Sequence, residues 1–136
     1  MTKTERTITA LLVGRQDGCL PKLKQCLEEL GMKTACVEEP RQVRRKLRTV
    51  NAPEIVFAAT EPADVTWSEV VDAAEESGKQ PVILASRVVD VRKYLDALGR
   101  GAFDFVVPPF AHRDLKLIVE TAVSRNSGRG RQESAL

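Results

Sequence analysis

Five short apolar runs, each followed by a longer segment with helical periodicity, limit the folds that are open to this chain. The runs are rich in β-forming residues and end at Gly, Pro or polar residues, which is typical of strands buried on both faces of a sheet. We predict five strands at the following positions: β1 at 7–13, β2 at 34–37, β3 at 54–58, β4 at 81–85 and β5 at 103–107.

The segments that follow these runs have apolar residues three and four positions apart, as the buried face of a helix requires. They predict five helices: α1 at 20–30, α2 at 40–50, α3 at 66–77, α4 at 91–98 and α5 at 112–123. Strands that alternate with helices imply a parallel sheet with right-handed crossovers and helices on both faces. In such a sheet, functional residues belong at the carboxyl ends of the strands.

The composition fits one soluble domain that needs no metal or disulfide to fold. With 136 residues, 43% of them hydrophobic and 29% charged, the chain is long enough to bury a single core. It has no apolar run of membrane-spanning length and no signal-like start, so we expect a cytoplasmic location without membrane contact. We interpret Cys19, Cys26 and Cys36, which form no C-x-x-C motif, as buried small hydrophobic residues. We predict neither a metal nor a cofactor.

The order of these elements and several motifs resemble the receiver domain of bacterial two-component response regulators over residues 8–123. The most specific motif is GAFDFVVPPF at 101–110, which is similar to the family's G-A-x-D-Y-x-x-K-P-F. The resemblance implies a flavodoxin-like, doubly wound (βα)5 domain with strand order 2-1-3-4-5. We place this domain at 1–123 and interpret 124–136, which is rich in Gly, Ser and Arg, as a flexible basic C-terminal tail.

The resemblance also locates the receiver's phosphorylation site, and the residues found there differ from those of the family. The two Mg²⁺-binding acids fall on Gly14 and Arg15, the phosphoacceptor aspartate on Ala59, or on Ala58 if the gap in the alignment moves, and the conserved lysine of the motif on Pro108. None of these side chains can bind Mg²⁺ or accept a phosphoryl group. We therefore interpret the chain as a stand-alone pseudo-receiver without catalytic residues, and not as an enzyme.

Two positions keep the residue types that the family uses to switch. Ser86 stands where receivers have a hydroxyl that binds the phosphoryl group, and Phe105 stands where they have an aromatic residue that changes rotamer. A plainer interpretation is that Ser86 caps the following loop and Phe105 packs against the sheet. We favour the plainer one, because a switch without a trigger has nothing to bias it.

Two surfaces are candidate interfaces with a protein partner. The first is the basic helix α2, where Arg41, Arg44, Arg45 and Arg48 occur together. The second is the α4-β5-α5 face that receivers use for partners or homodimers, represented here by Val91, Leu95 and Phe105.

Two alternatives to a protein-binding role stay open. The basic residues of α2 and the tail could contact nucleic acid, although no known reading module or interleaved aromatic residues support this. Alternatively, an acid that does not align with the family site, Asp17 or Glu61, could be phosphorylated. His112, the only histidine, is interpreted as an exposed residue at the start of α5 and not as a general base.

Overall fold

The computed structural model describes residues 7–60 and 66–135, and it describes side chains within 7–60 and 67–125. In this part of the chain five strands alternate with five helices. The strands are β1 (Thr9–Val13), β2 (Lys33–Val37), β3 (Ile55–Ala59), β4 (Val82–Ala85) and β5 (Asp104–Val106). The helices are α1 (Leu20–Glu29), α2 (Arg41–Leu47), α3 (Thr66–Glu76), α4 (Val91–Gly99) and α5 (His112–Ala135).

The strands form one parallel sheet in the order β2-β1-β3-β4-β5. The predicted fold class and strand order are therefore confirmed. The register pairs Val13 with Ala58, Ala59 with Ala85, and Ala85 with Val106. The carboxyl ends of the four strands β1, β3, β4 and β5 thus lie at one edge of the sheet.

Two apolar clusters form the core, one on each face of the sheet. Along β1, Leu11 and Val13 point into the cluster covered by α2, α3 and α4, whereas Ala10 and Leu12 point into the cluster covered by α1 and α5. This alternation follows from the two-residue period of a strand. It explains why β1 shows an unbroken apolar sequence instead of a polar–apolar alternation.

Three residues do not lie where the pattern predicted. Val50 is 99% exposed, because α2 ends at Leu47 and does not reach it. Cys26 is only half-buried. Cys36 is exposed, because it lies on the edge strand β2, so the interpretation of all three cysteines as buried holds for Cys19 alone.

The last helix is longer than predicted. Its backbone continues past 123 to Ala135, and no proline follows Pro109 to interrupt it. The flexibility of 124–136 stays a prediction. Within the described part of the chain, no helix has the length and apolar character needed to cross a membrane.

Candidate functional site

The positions that the sequence singled out meet at the carboxyl edge of the sheet. Backbone hydrogen bonds continue the ladder there: Gly14 N–H donates to the Val37 carbonyl at 2.9 Å, and Ser86 N–H donates to the Val106 carbonyl at 3.0 Å. Ala59 is the last residue of β3, between these two strand ends. Pro108 follows β5 at the same edge, and its peptide bond to Pro109 is cis.

Gly14 and Ala59 approach each other so closely that no side chain fits on Gly14. Gly14 has a φ of +139°, and a Cβ built on it would lie 2.9 Å from the Ala59 Cβ and 3.3 Å from Leu20 Cδ1. Ala59 and Leu20 are both buried. The position that the resemblance predicts for the receiver's first Mg²⁺-binding acid therefore has no room for a side chain, because apolar groups fill the space beside it.

Arg15 and Asp17 lie at the surface of the loop that follows β1. Both side chains are largely exposed, and Arg15 Nη2 lies 3.5 Å from Asp17 Oδ2. The positive guanidinium opposes cation binding electrostatically at this position. Glu61, the other candidate acid, lies outside the described residues.

Ser86 and Thr60 are the two buried hydroxyl residues of this edge. Ser86 Oγ accepts a hydrogen bond from Val88 N–H at 3.3 Å, which fits a role in holding the loop before α4. Thr60 directly follows β3, and its buried Oγ1 has no hydrogen-bond partner among the described residues. Sequence reasoning did not single out Thr60, although a hydroxyl placed directly after a buried strand was a visible signal.

Phe105 connects β5 to α4. Its half-buried ring packs against the core cluster on the α2–α4 face of the sheet. It also meets Tyr94 of α4 edge-on, with ring centroids 5.8 Å apart and planes at 88°. This geometry is a favourable aromatic contact. The structure thus places the switch-like position in contact with the helix that carries the predicted interface.

Two of the larger apolar residues of α4 face outward. Val91 is 64% exposed and Leu95 is 60% exposed, whereas Ala97 is the buried anchor of the helix. Val88 and Val89, in the loop before the helix, are exposed as well. Single exposed apolar residues are ordinary, but a continuous group of them marks an interaction site. We call Val88, Val89, Val91 and Leu95 the α4 patch.

The basic helix α2 is partly neutralised within the chain. Arg44 Nη2 lies 2.5 Å from Glu76 Oε1 of α3, and Arg41 Nε lies 2.6 Å from Glu39 Oε1. Arg45 and Arg48 are exposed and form no ion pair with a described residue. Of the four predicted interface arginines, two therefore form ion pairs within the chain, and the other two, Arg45 and Arg48, are available to a partner.

A cluster of metal-ligating side chains lies away from the sheet edge. His112 Nε2 is 2.7 Å from Glu29 Oε1, and the Cys26 thiol completes the group. Hydrogen bonds from Gln25 and His112 hold the pKa of Glu29 below its ordinary value. Burial raises the pKa of the Cys26 thiol, and its sulfur lies 3.8 Å from the Phe110 carbonyl oxygen. His112 begins α5 and is exposed, as predicted, but it is paired.

Several solved structures share this fold. A response regulator receiver domain protein from Clostridium thermocellum superimposes with a TM-score of 0.72 at 17% identity, covering 88% of this chain and 97% of that one. A CheY-like receiver domain protein from Methanospirillum hungatei JF-1 gives 0.71 at 17% identity, covering 91% and 99%. NtrX from Brucella abortus gives 0.77 at 18% identity, covering 96% of this chain and 30% of that one. The chain has the fold of a response-regulator receiver domain.

A curated relative supports the same resemblance at the level of sequence. The regulatory protein AtoC of Escherichia coli (strain K12) is 25% identical over 117 residues, which is 86% of this chain and 25% of that protein. The chain thus spans about a quarter of the length of this relative. No protein-family model matches the chain.

Proposed function

We propose that this chain is a pseudo-receiver of two-component-type signalling that binds a protein partner through the α4 patch and is not phosphorylated. The observation that carries the proposal is the outward-facing apolar surface of α4, where Val91 and Leu95 are 64% and 60% exposed. Partner contact would cover this surface. The receiver fold and the similarity to a regulatory protein supply the signalling context.

The sheet edge supports the absence of phosphorylation. Phosphoryl transfer to a receiver needs a carboxylate nucleophile, a bound Mg²⁺ and a cation that neutralises the transferred group. Ala59 presents a methyl group, Gly14 has no room for a carboxylate, and Pro108 carries no amine. Without these groups, Ser86 and Phe105 act through packing and hydrogen bonding alone.

Labelling with a small phosphodonor tests this part of the proposal. Incubation of the full chain with acetyl phosphate and Mg²⁺ is expected to give no acid-stable or acid-labile phosphorylation by intact mass. Label on the wild type that disappears in Asp17→Asn would instead establish a receiver that uses an unaligned acid. The same measurement on Glu61→Gln covers the second candidate acid.

Capture of the partner tests the α4 patch. The full chain is immobilised and exposed to a lysate of its own organism, and proteins bound to the wild type are compared with those bound to a Val91→Asp, Leu95→Asp double variant. Val50→Asp is the matched control, because Val50 is 99% exposed and lies after α2. A partner that binds the wild type and the control but not the double variant supports the proposal. Equal capture by all three proteins contradicts it.

Self-association is a distinct outcome of the same variants. Light scattering of the purified wild type reports whether two copies join through the α4-β5-α5 face. A dimer that becomes a monomer in the Val91→Asp, Leu95→Asp variant makes the partner a second copy of this chain. A monomer at all concentrations excludes a second copy as the partner, and the capture experiment then decides whether a different protein binds the patch.

Nucleic acid binding is the second candidate function, and the available charges of Arg45 and Arg48 favour it. Binding through phosphates would weaken steeply with salt and would be lost in an Arg45→Glu, Arg48→Glu variant. Arg44 is left unchanged, since its reversal also breaks the ion pair with Glu76. Captured material that nuclease removes, and that depends on these arginines instead of the α4 patch, would replace the first proposal.

A further inference from the structure

We propose that Cys26, Glu29 and His112 form a binding site for a divalent transition-metal ion, and that Zn²⁺ is the ion that fits it. This site is independent of the sheet edge and of the proposed partner surface. The three side chains offer a thiol sulfur, a carboxylate oxygen and an imidazole nitrogen, and these ligand atoms all lie within 4.8 Å of one another. Sulfur, nitrogen and oxygen ligands of these types are the ones that Zn²⁺ takes in proteins.

The backbone brings the three ligands together on two well-anchored helices. Cys26 and Glu29 are three residues apart on α1 and therefore share one face of that helix. His112 is the first residue of α5. The fully buried Leu27 holds α1, and the buried Leu115 holds α5, in the same core cluster.

The separation of the ligand atoms is close to what a tetrahedral ion needs. With metal–ligand bonds of about 2.0–2.3 Å, ligand atoms around Zn²⁺ lie roughly 3.3–3.7 Å apart. Glu29 Oε1 and His112 Nε2 are 2.7 Å apart in their hydrogen bond, so an ion between them needs these two atoms to separate by roughly 0.6–1 Å, and no two ligand atoms of the group are more than 4.8 Å apart. Glu29 and His112 are exposed, so their side chains can make this adjustment.

Metal binding at this site has a defined proton balance. The ion replaces the thiol proton of Cys26, which passes to solvent, and binds His112 as a neutral imidazole, so that in binding through Nε2 the remaining N–H lies on Nδ1 and any second ring proton passes to solvent. Gln25 Nε2 donates to Glu29 Oε2 at 3.1 Å and so orients the carboxylate from outside the ligand set. Three protein ligands leave a fourth position for water, and the exposed side of the cluster gives the ion access. A bound ion would join α1 to the first turn of α5.

Titration of the full chain tests the site directly. The protein is prepared without a histidine tag and kept reduced, and Zn²⁺ binding is measured by calorimetry, with Co²⁺ as a spectroscopic probe. We expect one ion per chain and a thiolate-to-cobalt charge-transfer band. Cys26→Ala and His112→Gln are each expected to weaken Zn²⁺ binding by about 100-fold or more. Cys36→Ala and Glu28→Gln are the matched controls and are expected to bind as the wild type does.

The variants at the exposed ligands Glu29 and His112 give the most direct test of Zn²⁺ binding. Cys26 packs partly against the core, so its loss could alter the fold, whereas Glu29→Gln and His112→Gln change side chains at the surface. Circular dichroism of each variant confirms that it is folded. Absence of stoichiometric Zn²⁺ binding by the wild type overturns the proposal, and so does a His112→Gln variant that binds Zn²⁺ as tightly as the wild type. Loss of the cobalt band in Cys36→Ala would move the sulfur ligand elsewhere and also overturn it.

Discussion

At the scale of single residues, Gly14 shows how one position can determine the character of the whole edge. Its φ of +139° is a conformation that residues with a Cβ rarely adopt, and the Ala59 methyl group occupies the space beside it. An acid at Gly14 would need both a different backbone and a different neighbour. Building a receiver-type Mg²⁺ site at this edge would therefore require more than the replacement of one residue.

Gly14→Ala is expected to lower the free energy of unfolding by about 2–4 kcal/mol, because it combines backbone strain with a steric clash. Gly31→Ala is the control. Gly31 also has a positive φ, +91°, but no atom lies within 4 Å of the position of its Cβ, so only strain contributes there. Urea denaturation measures both variants. If both variants lose the same free energy of unfolding, the contact with Ala59 does not contribute to the effect of Gly14→Ala.

A second substitution isolates the contact itself. In the double variant Gly14→Ala, Ala59→Gly, the methyl group that the new Cβ meets at 2.9 Å is gone. The loss in the double variant is therefore expected to be smaller than the sum of the two single losses by about 0.5–3 kcal/mol, the range found for residues in contact. Strict additivity would contradict the close approach of the two strands.

The sequence could predict which residues lie at the carboxyl edge of the sheet, but not how they pack against one another. The motif around Pro108 and the apolar run before Gly14 aligned both positions with the receiver pattern. The contact between Gly14 and Ala59 depends on a backbone angle and on the pairing of two strands about 45 residues apart in sequence, which no local pattern contains. The place of Thr60 directly after a buried strand was visible in the sequence, but its burial depends on the neighbouring strands and could not be predicted from that place alone.

At the scale of elements, α4 shows that apolar periodicity can predict a helix without predicting which of its faces is buried. The spacing of Val91, Leu95 and Leu98 predicted a helix, and the helix is present. Periodicity defines an apolar face but does not say whether the sheet or the solvent lies against it. In the structure the small residue Ala97 faces the core, and two of the larger apolar residues face outward.

This orientation predicts that substitutions on the outer face of α4 change the stability little, whereas substitutions on its buried face lower it. Leu95→Asp is expected to change the free energy of unfolding by no more than about 0.5 kcal/mol, because its side chain is already hydrated. Ala97→Leu adds volume to a filled core position and is expected to cost about 1–3 kcal/mol. Thermal and urea unfolding of both variants compare them. A large loss in Leu95→Asp would mean that the α4 patch belongs to the core.

The ion pair between Arg44 and Glu76 joins α2 to α3 at the surface. Both side chains are about half exposed, so their coupling is expected to be only about 0.2–1 kcal/mol and to decrease with salt. A double-mutant cycle with Arg44→Ala and Glu76→Ala measures this coupling in unfolding experiments at low and high salt. The charge-swapped variant Arg44→Glu, Glu76→Arg should recover part of the stability lost in Arg44→Glu alone. No recovery would indicate that the two charges do not interact.

At the scale of the whole molecule, the alternation of strands and helices was sufficient to predict the parallel sheet and its two covering layers. The strand order came from the resemblance to receivers, since several orders satisfy the same alternation. The metal-ligating cluster was not predicted. Glu29 and His112 are 83 residues apart, and only the packing of α1 beside α5 brings them together.

The long α5 raises the question of how much of it the domain needs. Within 112–125, the part of this helix whose side chains are described, the buried residues are Leu115, Val119 and Ala122, all in the predicted domain of 1–123. Because the predicted domain ends at 123, we expect deletion of 126–136 to change the free energy of unfolding by less than about 0.5 kcal/mol. Leu115→Ala, which opens a cavity in the core under the same helix, is expected to cost about 2–5 kcal/mol.

Urea unfolding of the truncated chain and of Leu115→Ala decides whether the end of α5 stabilises the domain or only extends from it. A deletion as costly as Leu115→Ala would make 126–136 part of the folding unit and move the domain boundary to the end of the helix. A neutral deletion would leave this segment, which contains Arg129 and Arg131, available for contacts that do not affect folding. Nucleic acid capture by the truncated chain would then separate the contribution of these residues from that of Arg45 and Arg48, since the truncation leaves α2 intact.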